Sequence, residues 1–280
     1  MDIKAALARI VGAILTVLLL CCGVAVAADD ASDANLYQSQ AVVTGRGDAN
    51  RALGLAQCLQ DVLVKVSGDP RLIGDPAAIA LGANVAGLVT RFEYHDRLSG
   101  QPIHDEQGSY DRPQDLTVYF NKTALDSSLN LLGRQPWRAA RPRVAVFLDI
   151  RPPKRVFVMT GDDDEDADMR SALQAAATKV GLPIALPTKA QLAQKGWTVQ
   201  TLPTADLTKL NAAAKAGIGD TALSGELVWS NEAMGWVADW RINGQHKTFH
   251  WQIRGVGFDD AFRNGMRGAL QVLSGHGQPQ

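Results

Sequence analysis

Two hydrophobic patterns dominate the chain. From Asn50 to Val66 the apolar residues Ala52, Leu55, Ala56, Leu59, Val62, Leu63 and Val66 recur at steps of three and four, which predicts a helix with one buried stripe. Asp48 is placed to cap it, Gly68 to end it in the left-handed conformation, and Pro70 to stop it resuming. The second pattern is alternation: Leu116, Val118 and Phe120 alternate with polar neighbours across Asp115 to Asn121, as in a half-buried strand. Leu36 to Thr44 reads as a further strand, Ala77 to Thr90 as an apolar helix, Arg91 to Arg97 as extended chain, and Thr123 to Leu132 as a helix. Beyond Pro142 the pattern predicts strands at Val144 to Ile150 and Arg155 to Thr160, a helix at Asp168 to Val180, a short strand at Leu182 to Leu186 and a helix at Asp206 to Ala216. Three strands then form a meander, Thr221 to Trp229, Gly235 to Asn243 and Thr248 to Arg254, with Asn243-Gly244 as a turn. A last helix is capped by Asp259 and carries the stripe Phe262, Met266, Ala269, Leu270 and Leu273.

These elements predict an α+β or α/β fold of two small domains, 36–132 and 143–275, joined by a connector at 133–142 that holds Pro136, Trp137 and Pro142 among arginines. The second domain is expected to be a mixed sheet with a C-terminal antiparallel meander and flanking helices. Residues 276–280 are a tail.

The amino terminus has a different character. Lys4 and Arg9 precede an apolar run from Ile10 to Leu20, and the small residues Ala25-Val26-Ala27 close it before Asp29 and Asp30. This is the grammar of a cleavable secretory signal at 1–28, followed by a polar leader at 29–35. The predicted location is the periplasm. A retained anchor and a lipoprotein are the alternatives; for the latter, Leu20 or Cys21 stands where a lipobox takes Gly or Ala. Either would make the signal or a lipid the only membrane attachment.

Charge and cysteines narrow the function. The chain carries a net charge of −1, and losing the signal removes one net positive charge with Asp2, Lys4 and Arg9. So neutral a chain has no general field for nucleic acid. Of three cysteines, Cys21 and Cys22 leave with the signal and Cys58 remains without a partner for an internal disulfide.

Several segments together resemble a known family: the first strand and helix with "VLVKVSGD", then "LGRQPW" with "RPRVAVFL", then "GLPIALP". They are similar to the bacterial domain of unknown function 2066 family over Leu36 to Gly275, and the resemblance implies an exported envelope protein. The strand, helix, short strand and helix ending in "AGIGDTALSGEL", followed by a meander, resemble the small α/β domain of TolB amino-terminal, CsgG and FlgT proteins. That likeness implies an envelope binding module; it is an analogy of fold and carries over no catalytic residue.

Candidate chemistry is sparse. The loop "PIHDEQGSYDRP" collects His104, Asp105, Glu106 and Asp111, a set that serves as a structural loop, a partner contact or a metal site, although neighbouring extended side chains diverge. Combined with Trp137, this loop is the candidate for an enzyme acting on an envelope polymer. The acidic run Asp162 to Asp166 reads as a solvated turn at a helix start, with calcium or a basic partner as alternatives; it lacks EF-hand spacing. Trp229, Trp236, Trp240 and Trp251 fall on one face of the meander by parity, either as core beneath the last helix or as an exposed platform for a glycan or small ligand. The turn "GRGDAN" lacks the third glycine and the lysine of phosphate loops, and no Gly-x-Ser-x-Gly elbow occurs. No cofactor is expected. The sequence points to a non-enzymatic envelope accessory or adaptor whose partner is another envelope protein.

Overall fold

The computed structural model describes residues 35–100, 111–244 and 247–280. The predicted signal, the leader through residue 34, and His104, Asp105 and Glu106 lie outside the described residues. An α+β fold is present, with seven α-helices and two sheets among the described residues.

The first sheet has the order β1-β3-β2, with β1 at Gln38–Thr44, β2 at Val89–Asp96 and β3 at Pro113–Phe120, all antiparallel. Ser39, Ala41 and Val43 of β1 and Leu116, Val118 and Phe120 of β3 supply its buried face. Against that face packs α1, Asp48–Ser67, whose Leu55, Leu59, Val62 and Val66 are buried as the periodicity requires. Its capping differs from expectation. Gly47 occupies the N-cap, and Asp48 sits in the first turn, where its charge still favours the helix dipole and pairs with Arg51. Gly68 ends the helix at φ 77°, with its N–H bonded to the Val64 carbonyl.

The apolar stretch expected as one helix from Ala77 to Thr90 is divided. A short α2, Pro76–Gly82, starts at the N-cap Asp75; a 3-10 turn follows at Val85–Leu88, and β2 begins at Val89. Gly82, Asn84 and Gly87 punctuate the stretch, each a poor helix interior residue. Then comes α3, Lys122–Leu131, capped by the Asn121 side chain.

The second sheet runs β5-β4-β7-β8-β9: β4 is Val144–Arg151, β5 Phe157–Val158, β7 Thr221–Ser230, β8 Gly235–Asn243 and β9 Thr248–Val256. The two-residue β6, Ile184–Ala185, pairs parallel with the start of β4. Strand β4 is central and parallel to β7, which explains its apolar run from Val144 to Leu148. Its Val144, Val146, Leu148 and Ile150 face one layer, where α4 (Ala167–Val180) and the last helix pack. Ala145 and Phe147 face the other, under α5 (Lys189–Gln194) and α6 (Leu207–Lys215). Helix α5, unforeseen in the sequence, is held by a capping box between Thr188 and Gln191. The last helix, α7 at Phe258–Leu273, has Gly257 rather than Asp259 at its N-cap; Asp259 and Asp260 lie in its first turn.

Helix α1 also contacts α4, so one continuous apolar cluster runs from the first sheet through α1, α4 and α7 to the second sheet. The connector 133–142 has no helix or strand and is bonded along its length. Arg134 reaches Asp69 at 2.6 Å, the Trp137 N–H donates to the Val66 carbonyl at 2.8 Å, and Arg138 pairs with Asp126 at 2.6 Å.

Candidate functional site

Of the residues expected to form a loop site, Asp111 and Trp137 are described, and they are far apart. Asp111 is exposed, with its carboxylate against Gly45 at the turn entering α1. Trp137 lies at the other end of that helix, edge-on to Gly68, with the Arg141 guanidinium 4.5 Å above its ring. Twenty residues of α1 separate them, about 28 Å at the helical rise. The expected pairing of this loop with Trp137 in one pocket is therefore corrected for Asp111.

The four tryptophans of the meander do share one face. Register places Trp229 opposite Trp236, and Trp240 opposite Trp251. Helix α7 covers the second pair. Gly265 lies against Trp240 and Gly268 against Trp251, leaving the rings 0% and 4% exposed. Those two are core, which corrects the idea of a four-ring open platform. Trp229 and Trp236 lie beyond the helix start, packed edge to face with centroids 5.7 Å apart and ring planes at 85°. Next to them, at the tip of the β7–β8 hairpin, Met234 holds a left-handed backbone at φ 50° and is 86% exposed. Trp229 donates its indole N–H to Asn231 at 2.9 Å.

The acidic run has intramolecular partners. Arg155 pairs with Glu165 and Asp166, and the Lys189 ammonium meets Asp163 at 3.0 Å. The Lys189 backbone N–H donates to Asp162 at 3.0 Å. These contacts hold both the Asp162 and Asp163 carboxyls below the ordinary carboxylate range, through the Lys189 backbone N–H and the Lys189 ammonium respectively. The run thus staples the turn before α4 to the start of α5. Among the described residues, no group of three or more His, Cys, Asp or Glu is arranged to hold a metal ion.

Two polar clusters escaped the sequence reading. On the second sheet, Asp149, Glu226 and Asp239 stand in one row across β4, β7 and β8. Arg151 spans the first two at 2.5 and 3.1 Å, and His250 meets the third at 2.6 Å. Burial raises the Asp149 carboxyl while Arg151 pulls it down. Arg151 already bridges Asp149 and Glu226, and His250 of β9 bonds to Asp239, an arrangement that clamps strands.

The other cluster lies at the seam between α1, β1 and α4. Cys58, Asp61 and Lys65 follow one another along α1 at helical spacing, beside the stripe that meets the sheet. Asp61 takes the Lys179 ammonium of α4 at 3.1 Å and the Ser39 hydroxyl at 3.4 Å. Lys65 is 6% exposed and donates to the Gln38 carbonyl at 2.8 Å. Burial lowers its ammonium to about 8; Asp61 opposes this, whereas Arg141 and Lys179 add to it. Burial also lowers the Arg141 guanidinium to about 10, and its Nε is buried without a partner among the described residues. The Asp61 carboxyl is raised by burial against the pull of Lys179. Burial and then the Asp61 charge push the Cys58 thiol up to about 12, leaving it inert as a nucleophile. A groove of about 810 Å³ opens beside this cluster, between β1, α4 and β6, with Ser39, Lys65 and Lys179 in its lining. Signals for it existed in the sequence only as a polar stripe on a helix already assigned to the core.

A family model described as a domain of unknown function, DUF8605, matches residues 31–138. The match covers the first sheet, α1 to α3 and the connector through Arg138. The chain is thus similar to an uncharacterised family over its first part. No curated protein and no solved structure matches the chain.

Proposed function

We propose that the protein is an exported accessory protein of the cell envelope that acts by binding another envelope protein, with the Trp229, Met234 and Trp236 ridge as its contact surface. The observation that carries this reading is the ridge itself. A methionine and a tryptophan, 86% and 38% exposed, sit together at one end of the second sheet. Exposed Met and Trp in one place are the side chains enriched at protein contacts, because each buries much area for little polar desolvation. The hairpin is held in shape by the Ala233 N–H bonded to the Ser230 hydroxyl at 3.1 Å and by the Trp229 bond to Asn231. The envelope location is supported by the basic and apolar amino-terminal pattern ending at Ala27. It agrees with the resemblance to the domain of unknown function 2066 family and to the TolB, CsgG and FlgT type of binding domain.

The two other readings have no comparable support. A sugar stacks on a flat aromatic face, whereas Trp229 and Trp236 are perpendicular and Trp240 and Trp251 are covered. For the polymer-cleaving reading, Asp111 and Trp137 stand at opposite ends of α1.

The test is a photo-crosslinking residue placed at Met234 in the full chain, followed by cell fractionation and mass spectrometry. Capture of one envelope protein from the periplasmic fraction, absent when the same probe sits at the exposed Lys215, is the expected result. Equal labelling from both positions, or recovery of chain retaining Met1 in the cytosol, refutes the reading.

A further inference from the structure

Among the described residues, the lining of the seam groove holds the cations Lys65, Arg170 and Lys179 and no carboxylate. Lys65 of α1, Lys179 of α4 and Arg141 of the connector converge on this region, and Arg267 of α7 acts on the same carboxylate, Asp61. Three cations, Lys65, Lys179 and Arg267, thus act on one carboxylate, and Arg141 acts on Lys65. Lys65 is 6% exposed and carries little water, its ammonium donating to the Gln38 carbonyl, while the half-buried Arg141 donates to the Lys65 and Val180 carbonyls. Buried charges are ordinarily matched by opposite charge, because the interior cannot replace the hydration they lose. Here the matching charge among the described residues is short, and of these cations Lys65 and Lys179 line an open groove of about 810 Å³, which Arg141 and Arg267 do not. Of the remaining lining, Ala175, Ile184 and Leu186 are apolar, and Gln40, Ser171 and Gln174 are polar.

We propose that the groove binds a small amphipathic anion, a carboxylate whose head lies between Lys65 and Lys179 near the Ser39 hydroxyl and whose hydrocarbon tail runs along Ala175, Ile184 and Leu186. The head supplies the missing negative charge, and the lysines act on it as charge-assisted donors. The tail gains by leaving water for these apolar side chains. The site is separate from the aromatic ridge and does not depend on the adaptor role.

Binding also carries a proton signature. The Lys65 ammonium faces Asp61 and Cys58 of its own helix, Lys179 of α4, Arg141 of the connector and the Gln38 carbonyl of β1, and sits at about 8 in their combined field. An anion beside it favours the charged form, so the complex takes up protons and weakens as pH rises from about 7 to about 9.

Calorimetry on the signal-free chain tests this with three probes: octanoate, inorganic phosphate and octylamine. Octanoate is expected to bind in the millimolar range or tighter, phosphate more weakly and octylamine not at all. Lys179→Gln, a change at a partly exposed position, and Lys65→Met are each expected to weaken octanoate by about tenfold or more, the loss of one charge-assisted contact. Should Lys65→Met fail to fold, Lys179→Gln carries the test alone. Absence of octanoate binding, equal binding of octylamine, binding of phosphate without octanoate, or unchanged affinity in Lys179→Gln overturns the proposal.

Discussion

Replacing Gly265 with alanine tests the packing of α7 on the second sheet by the sign of its effect. In an exposed helix interior, Gly→Ala stabilises by roughly 0.5–1 kcal/mol, because alanine loses less backbone freedom on folding. Gly265 is inside α7, but a Cβ there would lie 2.6 Å from both Cε2 and Cζ2 of Trp240 and 3.0 Å from its Cδ2. Ordinary carbon contacts are about 3.5–4.0 Å. The ring cannot retreat, since it is fully buried and Gly225 of β7 closes on its opposite edge. Overpacking of this kind costs about 1–3 kcal/mol, which outweighs the propensity gain and leaves a net loss of roughly 1–2 kcal/mol. In a chain of this size that lowers Tm by about 2–8 °C. Urea unfolding followed by tryptophan fluorescence and circular dichroism measures it. Adding Trp240→Phe should recover part of the loss, with a coupling of about 1 kcal/mol between the two sites. A Gly265→Ala chain as stable as the parent, or more so, would refute the contact between α7 and Trp240.

Three further expectations follow from buried groups. Burial alone raises the Asp69 carboxyl, but its hydrogen bonds from Arg71 and Arg134 hold it at about 2, below the ordinary 3.8. Its contribution is therefore complete above about pH 4 and is lost as pH falls through about 2; with Arg71 half-exposed, it is about 1–2 kcal/mol after solvent screening. Asp69→Asn should lower the urea midpoint at neutral pH, and a gap that fails to narrow below pH 4 would contradict this linkage. Lys65 has the opposite form: its folded value of about 8 lies below the ordinary 10.5, so between them the unfolded chain holds more protons and this group makes stability rise with pH. Lys65→Met should flatten the rise seen in unfolding between those limits. The Cys58 thiol, fully buried and raised to about 12, should react with a thiol reagent only after denaturation, and prompt reaction of the folded, signal-free chain would show the seam to be open.

What the sequence revealed depends on how local the cause was. The α1 stripe, the apolar run that opens β4, the meander and the α7 stripe all follow from patterns within one element, and each is found within a few residues of its expected bounds. The caps were misplaced by small steps because Asp48 and Asp259 favour a helix start from the first turn as well as from the cap itself. The six residues of α5 are too short to display a stripe, so only the Thr188 and Gln191 pair could announce it. The division of 77–90 depended on three residues, Gly82, Asn84 and Gly87, whose weak helix preferences outweighed a continuous apolar composition.

The seam cluster was illegible for a different reason. Lys65, Arg141, Lys179 and Arg267 come from four segments, and each in isolation reads as the solvated charge of a surface element. Their meaning changes because the last turns of α1, Val62 to Ser67, are buried, with the sheet on one face and α4 packed on another. The hint lay in α1 itself. Lys65 sits between the buried Val64 and Val66 near the end of a helix in which all four residues from Val64 to Ser67 are buried. A surface helix exposes one side of every turn, so a turn with apolar residues on successive positions must be covered all round. A lysine in such a turn has to find its partners inside the protein, and among the described residues Lys65 finds one carboxylate, Asp61, against the cations Arg141 and Lys179.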